Sequence, residues 1–313
     1  MSRKPAITAT GLKKAYDDKR VLDEIDISVD RGTVFALLGP NGAGKTTIVE
    51  ILSTLVPADG GDIRIAGYNP SDDPDAVRSR IGVTGQFSAV DDYLSGEENL
   101  LLMADLHHLG KDERRTRTDE LLKKFDLVES AEKLASTYSG GMRRRLDLAM
   151  TLIGRPEIIF LDEPTTGLDP RSRRTMWQII RELVKGGVTI FLTTQYLEEA
   201  DQLADHIAVL DQGRIVAQGT AAELKRRIPG GHIRLHFFDR DQLDSAATVF
   251  DESSRDDAAY VLQVPSDGGV RSLRSLLDQL DAHSIDVKEL SVHTPDLDDV
   301  FLTLTATERT EAR

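Results

Sequence analysis

Val34-Phe35-Ala36-Leu37-Leu38 runs directly into Gly39-Pro40-Asn41-Gly42-Ala43-Gly44-Lys45-Thr46-Thr47. The apolar run reads as a buried strand, and residues 46–55 read as a helix that stops near Pro57. Gly39, Gly44, Lys45 and Thr46 fit G-x-x-x-x-G-K-[ST] in the strand–loop–helix setting that gives this pattern meaning. Glycines let backbone N–H groups converge on phosphate oxygens, and the helix N-terminus adds a favourable dipole. Lys45 is expected to reach the β- and γ-phosphates of a nucleotide, and Thr46 to coordinate Mg2+. A chance glycine turn is the rival reading.

Further along, Ile158-Ile159-Phe160-Leu161 is a second buried strand, and it ends in Asp162-Glu163. In a parallel sheet such acids stand at the carboxyl edge, beside the glycine loop. There Asp162 would hold Mg2+ through water, and Glu163 could polarise an attacking water. Taken alone, the pair could equally be solvated acids closing an ordinary strand.

The surrounding pattern alternates strand and helix. Residues 6–9, 21–29 and 62–66 read as strands, with a turn at Asp17-Asp18. Residues 96–110, 111–125, 140–154 and 171–185 read as helical blocks, and 188–193 as the next buried strand. Leu121, Leu122, Phe125 and Leu127 form an apolar stripe that suits either a core or a partner surface. The alternation implies a parallel α/β core. Residues 221–227 look like a closing helix before a break at Pro229-Gly230-Gly231. Beyond it, strands at 233–238, 260–264 and 285–292 and helices at 270–280 and 297–304 suggest a small α+β appendage. Thr294 and Pro295 would start the last helix, and Leu297, Val300, Phe301 and Leu304 would share one face. Two domains are therefore expected, 1–229 and 230–313.

The composition narrows the partners. A net charge of −14 disfavours nucleic acid, whose phosphates attract basic patches. With no cysteine, disulfides and thiolate chemistry are excluded. The basic opening is not followed by an apolar run, so a secretory signal is not expected. No window approaches the roughly 18 apolar residues of a spanning helix, so any membrane pathway must come from another chain.

Between the two nucleotide elements lies Tyr138-Ser139-Gly140-Gly141-Met142. Ser139 and the N–H groups of Gly140 and Gly141 stand at a helix start and offer a second anion site. The stretch resembles the signature of ABC-type ATPases, usually written LSGGQ, with Tyr and Met at its first and last positions. The resemblance spans about residues 5–227. It implies a P-loop NTPase of ABC nucleotide-binding type, with a RecA-like parallel core, an antiparallel β subdomain and a helical subdomain. It also implies ATP and Mg2+ as ligands, and a homodimer in which the phosphate loop of one copy faces the signature of the other.

Further positions follow from the same likeness. Gln86 resembles the glutamine that senses Mg2+ and couples to the membrane subunit. Tyr16 resembles the aromatic residue that stacks on adenine, though a strand-end tyrosine without a ligand is its bland reading. Gly167-Leu168-Asp169 resembles the loop that crosses the dimer interface. Where the family usually carries a switch histidine, Thr194-Gln195-Tyr196 places Gln195. An amide can donate to a γ-phosphate oxygen but cannot take up a proton as imidazole can, which favours Glu163 as the group that handles water.

A narrower resemblance rests on Tyr138–Ala149, on the Gln195 switch and on Leu297-Asp298-Asp299-Val300-Phe301-Leu302. These look like the daunorubicin/doxorubicin-resistance ATP-binding subunits. That likeness implies a peripheral protein on the cytoplasmic face of the membrane that energises a separate permease for drug export. An exporter of lipid, polysaccharide or ion is the alternative, as is a soluble ABC ATPase or a regulatory module without turnover. Arg143-Arg144-Arg145 reads as a solvated helix face or as a contact to the permease or across the dimer.

Overall fold

The computed structural model describes residues 4–17, 19–85, 88–226, 231–293 and 296–301. The chain divides into two compact units, 1–221 and 222–313.

In the first unit an antiparallel sheet is built from β1 (Ile7–Tyr16), β2 (Lys19–Val29) and β4 (Gly60–Ile65), in the order β2-β1-β4. The sequence suggests a first strand over residues 6–9 only. The strand continues through a register shift between Ala9 and Leu12, where Gly11 takes φ 60. A bulge at glycine thus extends the ladder. The turn expected at Asp17-Asp18 shows Asp17 at φ 52, and Asp18 lies outside the described residues.

The main sheet combines β3 (Val34–Leu38) with β5 (Ile81–Thr84), β6 (Ile158–Asp162), β7 (Thr189–Thr194), β8 (His206–Asp211) and β9 (Arg214–Gly219). Its order is β5-β6-β7-β3-β8-β9, parallel except for the terminal β9. All residues of β3, β6 and β7 are buried, as expected of parallel strands covered on both faces. Phe191 joins them, its ring 5.3 Å from Phe35 and 5.6 Å from Phe160. These rings share one core with Ile7, Leu12, Leu22 and Ile25 of the small sheet and with Ile48 of α1 (Lys45–Leu52). The helix α1 ends earlier than the sequence suggests, because Thr54 turns to φ 66.

After the short α2 (Pro74–Arg78), a helical layer is formed by α3 (Gly96–Leu106), α4 (Lys111–Lys124) and α5 (Gly140–Thr151). Ser95 and Glu98 close a reciprocal capping box at the start of α3. Leu121, Leu122, Phe125 and Leu127 are all buried, so the stripe on α4 is core. α6 (Pro170–Lys185) begins at the Asp169 cap and buries Met176, Trp177, Ile180 and Leu183 at helical spacing. α7 (Leu197–Leu203) follows β7, and α8 (Ala221–Arg226) starts at the boundary between the two units.

The second unit is an antiparallel sheet of β10 (His232–Phe237), β11 (Ser254–Asp256), β12 (Val261–Pro265) and β13 (Val287–His293), ordered β11-β12-β10-β13. Ile233, Leu235 and Phe237 bury one face against Leu243 and Ala246 of α9 (Arg240–Val249) and Leu276 and Leu280 of α10 (Val270–Ala282). Residues 297–301 are helical, with Leu297 and Val300 buried. Thr294, Pro295, Leu302 and Leu304 lie outside the described residues. Among the described residues no helix is long and apolar enough to cross a membrane.

Candidate nucleotide site

Parallel strand order places three carboxyl ends side by side. Leu38 pairs with Thr194 on one side of β7, and Thr193 pairs with Asp162 on the other. The loop after β3 therefore lies beside the acids that end β6. Gly44 caps α1 at φ 109, and a Cβ there would stand 2.7 Å from the Leu22 side chain. Only glycine serves this close, left-handed turn.

Lys45 is 5% exposed; its Nζ donates to the carbonyls of Gly39 at 2.8 Å and Pro40 at 3.1 Å and lies 3.4 Å from Glu163 Oε1. Thr46 Oγ1 donates to Asp162 Oδ2 at 3.0 Å, while Thr193 Oγ1 donates to Asp162 Oδ1. Thr166 Oγ1 donates to Glu163 Oε2 at 3.2 Å. The Glu163 backbone sits at φ 49, in the left-handed region, with its N–H on Thr193 O and Oγ1, each at 3.1 Å. Asn41, Gly42, Gly44, Lys45, Thr46, Thr47 and Glu163 line one cavity of about 380 Å3 together with Val21.

Other expected residues stand elsewhere or at its margin. Gly39 N–H donates to Thr194 O at 3.3 Å, which sets the half-buried Gln195 next to the start of the loop. Tyr16 is 43% exposed, with Lys14 Nζ 5.2 Å from its ring centroid. Gln86 lies outside the described residues. Ser139 and Gly140 are exposed at the N-terminus of α5, where Ser139 Oγ accepts from Met142 N–H at 3.2 Å. Ser139 and Gly141 line a separate cavity of about 180 Å3 with Met142, Arg145, Arg171 and Ser172, among others. Asp169 accepts from the N–H groups of Arg171 and Ser172, each at 3.0 Å, and from Ser172 Oγ at 2.6 Å. The Ser172 hydroxyl, with these backbone donors, holds the Asp169 carboxyl below its ordinary range.

Tyr138, unusual in the signature, is buried and donates from its hydroxyl to Ser130 O at 2.6 Å; a Cβ on Gly96 would strike that hydroxyl. Burial raises its phenol pKa. The arginine run is not a solvated face. Arg143 pairs with Asp92, and Arg145 donates to Phe125 O at 2.9 Å and pairs with Asp126 at 3.2 Å. Arg144 turns inward to Asp147 and to backbone carbonyls beside Glu163. Sequence reading also passed over Glu199, which accepts from Thr165 Oγ1 at 2.8 Å and Trp177 Nε1 at 3.0 Å and whose pKa burial raises.

A family profile described as "ABC transporter" matches residues 22–166, and one described as "ATP-binding protein DrrA1-3-like, C-terminal domain" matches residues 219–305. The daunorubicin resistance ATP-binding protein DrrA3 of Streptomyces coeruleorubidus is 48% identical over 306 residues, covering 97% of this chain and 97% of that protein. The chain belongs to this family of ABC transporter ATP-binding proteins. Another member, the daunorubicin/doxorubicin resistance ATP-binding protein DrrA of Streptomyces peucetius, is 44% identical over 96% of this chain and 92% of its own length. Among solved structures, an ATP-binding subunit of an ABC transporter matches with TM-score 0.64 and 29% identity, covering 71% of this chain and 92% of that one. As a member of this family, the chain is an ABC transporter's ATP-binding subunit and an ATPase.

Proposed function

We propose that this ATPase energises export of an anthracycline-like or other hydrophobic drug by a separate membrane permease, from the cytoplasmic face of the membrane. The supporting observation is the full-length likeness to daunorubicin-resistance proteins, the C-terminal part included. On this reading residues 1–229 form the nucleotide-binding domain and 230–313 an accessory domain.

The site residues take the following roles in that proposal. Backbone N–H groups from Gly39 to Thr47 cradle the phosphates of ATP, with Lys45 on the β- and γ-phosphates. Tyr16 stacks on adenine. Thr46 and Asp162 bring a hydroxyl and a carboxylate within 3.0 Å of each other, a donor set suited to a hard cation. Among the described residues no group of three His, Asp or Glu could hold a metal ion alone, so Mg2+ here would share phosphate oxygens, with Gln86 as a further ligand. When bound, it neutralises charge on those oxygens. Glu163 accepts the proton of the attacking water. Ser139, Gly140 and Gly141 of a second copy complete the site, and Asp169 lies at that interface. Two separate cavities, one at the phosphate loop and one at the signature, suit a head-to-tail pair.

Gln195 donates to the γ-phosphate in this arrangement. Gln195→His, which keeps a donor, should retain hydrolysis. Gln195→Ala should lose most of it, about tenfold for one charge-assisted hydrogen bond. Equal turnover by all three proteins would remove Gln195 from the mechanism. For the transport reading, the chain should co-purify with a membrane permease encoded beside it, and an anthracycline should stimulate ATP turnover of the complex. Stimulation by lipid or polysaccharide but not by drug would overturn the cargo assignment.

A further inference from the structure

We propose that Arg144, held by Asp147, is the positioning residue that fixes the Glu163 carboxylate to take the proton of the water that attacks ATP. The proposal rests on the reading of Glu163 as the general base. A guanidinium has five N–H donors in a rigid fork. In Arg144 all five are matched by acceptors. Nε donates to Pro164 O at 2.9 Å, Nη1 to Gly85 O at 2.9 Å and Asp147 Oδ2 at 3.2 Å, and Nη2 to Asp162 O at 3.1 Å and Glu163 O at 3.4 Å. Three of these acceptors are the consecutive carbonyls 162, 163 and 164, which wrap the left-handed Glu163 backbone. A non-glycine residue keeps that conformation only where its surroundings over-determine it. On the other side of the peptide, Thr193 accepts the Glu163 N–H. Arg144 and Thr193 together therefore set the direction in which the Glu163 side chain leaves the strand end.

The clamp is itself anchored. Asp147 is one turn along α5 from Arg144, and their side chains are only 4% and 11% exposed. Asp147 Oδ1 accepts from Ala89 N–H at 3.1 Å, so its remaining oxygen is free to orient the guanidinium. Burial opposes both charges, pulling the pKa of Arg144 down and that of Asp147 up, and each partner offsets that cost for the other. Since α5 also carries the Ser139 signature at its N-terminus, one rigid helix bears both the second anion site and the support of the base.

The test is a double-mutant cycle on the full chain. Lysine keeps the charge of Arg144 but cannot span three carbonyls from one point. Arg144→Lys should lower kcat by about 10- to 100-fold, the scale of a 1 Å misplacement of a catalytic group. The KM for ATP and the Kd for a fluorescent ATP analogue should change by less than about threefold, since no phosphate contact is touched. In a Glu163→Gln background, single-turnover hydrolysis of radiolabelled ATP should barely respond to Arg144→Lys, because the group being positioned is already gone. The same factor in both backgrounds, or a fall in ATP affinity matching the fall in kcat, would overturn the proposal while leaving the base intact. Wild-type turnover by Glu163→Gln alone would instead sink the base assignment and the proposal with it. If Arg144→Lys does not fold, Asp147→Asn runs the same cycle; it keeps the guanidinium and removes the charge that orients it, and the same non-additivity is required.

Discussion

Glu163→Gln is expected to lower ATP turnover by about three orders of magnitude, within the range a positioned general base contributes. That corresponds to about 4 kcal/mol of transition-state stabilisation. An amide of the same shape still accepts from Thr166 Oγ1, so the local fold should persist. It cannot take a proton from water at neutral pH. A second effect follows from the 3.4 Å pair between Glu163 and Lys45. Removing the carboxylate charge releases Lys45 for the phosphates, so ATP should bind at least as tightly as before. Binding without turnover leaves the proposed two-copy state nothing to dissolve it. Size-exclusion chromatography with ATP should therefore show the variant eluting as a dimer. A monomeric variant that still turns over would refute the assignment.

The candidate site is legible where its proposed chemistry lies in contiguous sequence. The phosphate loop and the Asp162-Glu163 strand end are short, and each follows a wholly apolar strand. Parallel pairing puts both at one edge of the sheet, where the strand order leaves β7 alone between them. Legibility failed where a residue's role depends on what lies across the fold. Arg144 sits in a run of three arginines that looks like surface, and only the tertiary structure shows its carbonyl acceptors on Gly85, Asp162, Glu163 and Pro164. The one local clue was Asp147, three residues on and able to pair with it along the helix. Glu199 was hidden in the same way, since its partners Thr165 and Trp177 come from another part of the chain. In the fold, β8 and β9 are not among the expected strands although both are ladder strands of the main sheet, and β11 is too short and too polar to show alternation. The helix α9 is also not among the expected elements; Leu243, Ala246, Ala247 and Phe250 stand at helical spacing and share one core, but two of the four are alanines and the rest of the segment is mostly polar.

Ser139→Arg should lower hydrolysis by about 100-fold while leaving ATP binding within about threefold of wild type. Ser139 is exposed at the start of α5, and the cavity it lines shares no lining residue with the phosphate-loop cavity. Its hydroxyl only caps the helix within its own chain, through Met142 N–H. Losing that cap costs about 1 kcal/mol, or roughly 2–4 °C in melting temperature for a domain of this size. The larger loss is in catalysis. A long side chain at this position covers the Gly140 and Gly141 N–H groups that would face the γ-phosphate of a second copy. Two charge-assisted hydrogen bonds lost amount to about 3 kcal/mol, or roughly 100-fold in rate. Mixing then separates a two-copy site from a one-copy site. A Ser139→Arg chain keeps its phosphate loop, and a Lys45→Ala chain keeps its signature. In a head-to-tail pair the mixed dimer holds one complete site built from the two intact halves. Random pairing with independent sites should restore about a quarter of the wild-type rate from two inactive proteins. If each chain completed its own site, the mixture would stay as inactive as its parts, and the sandwich would have to be abandoned.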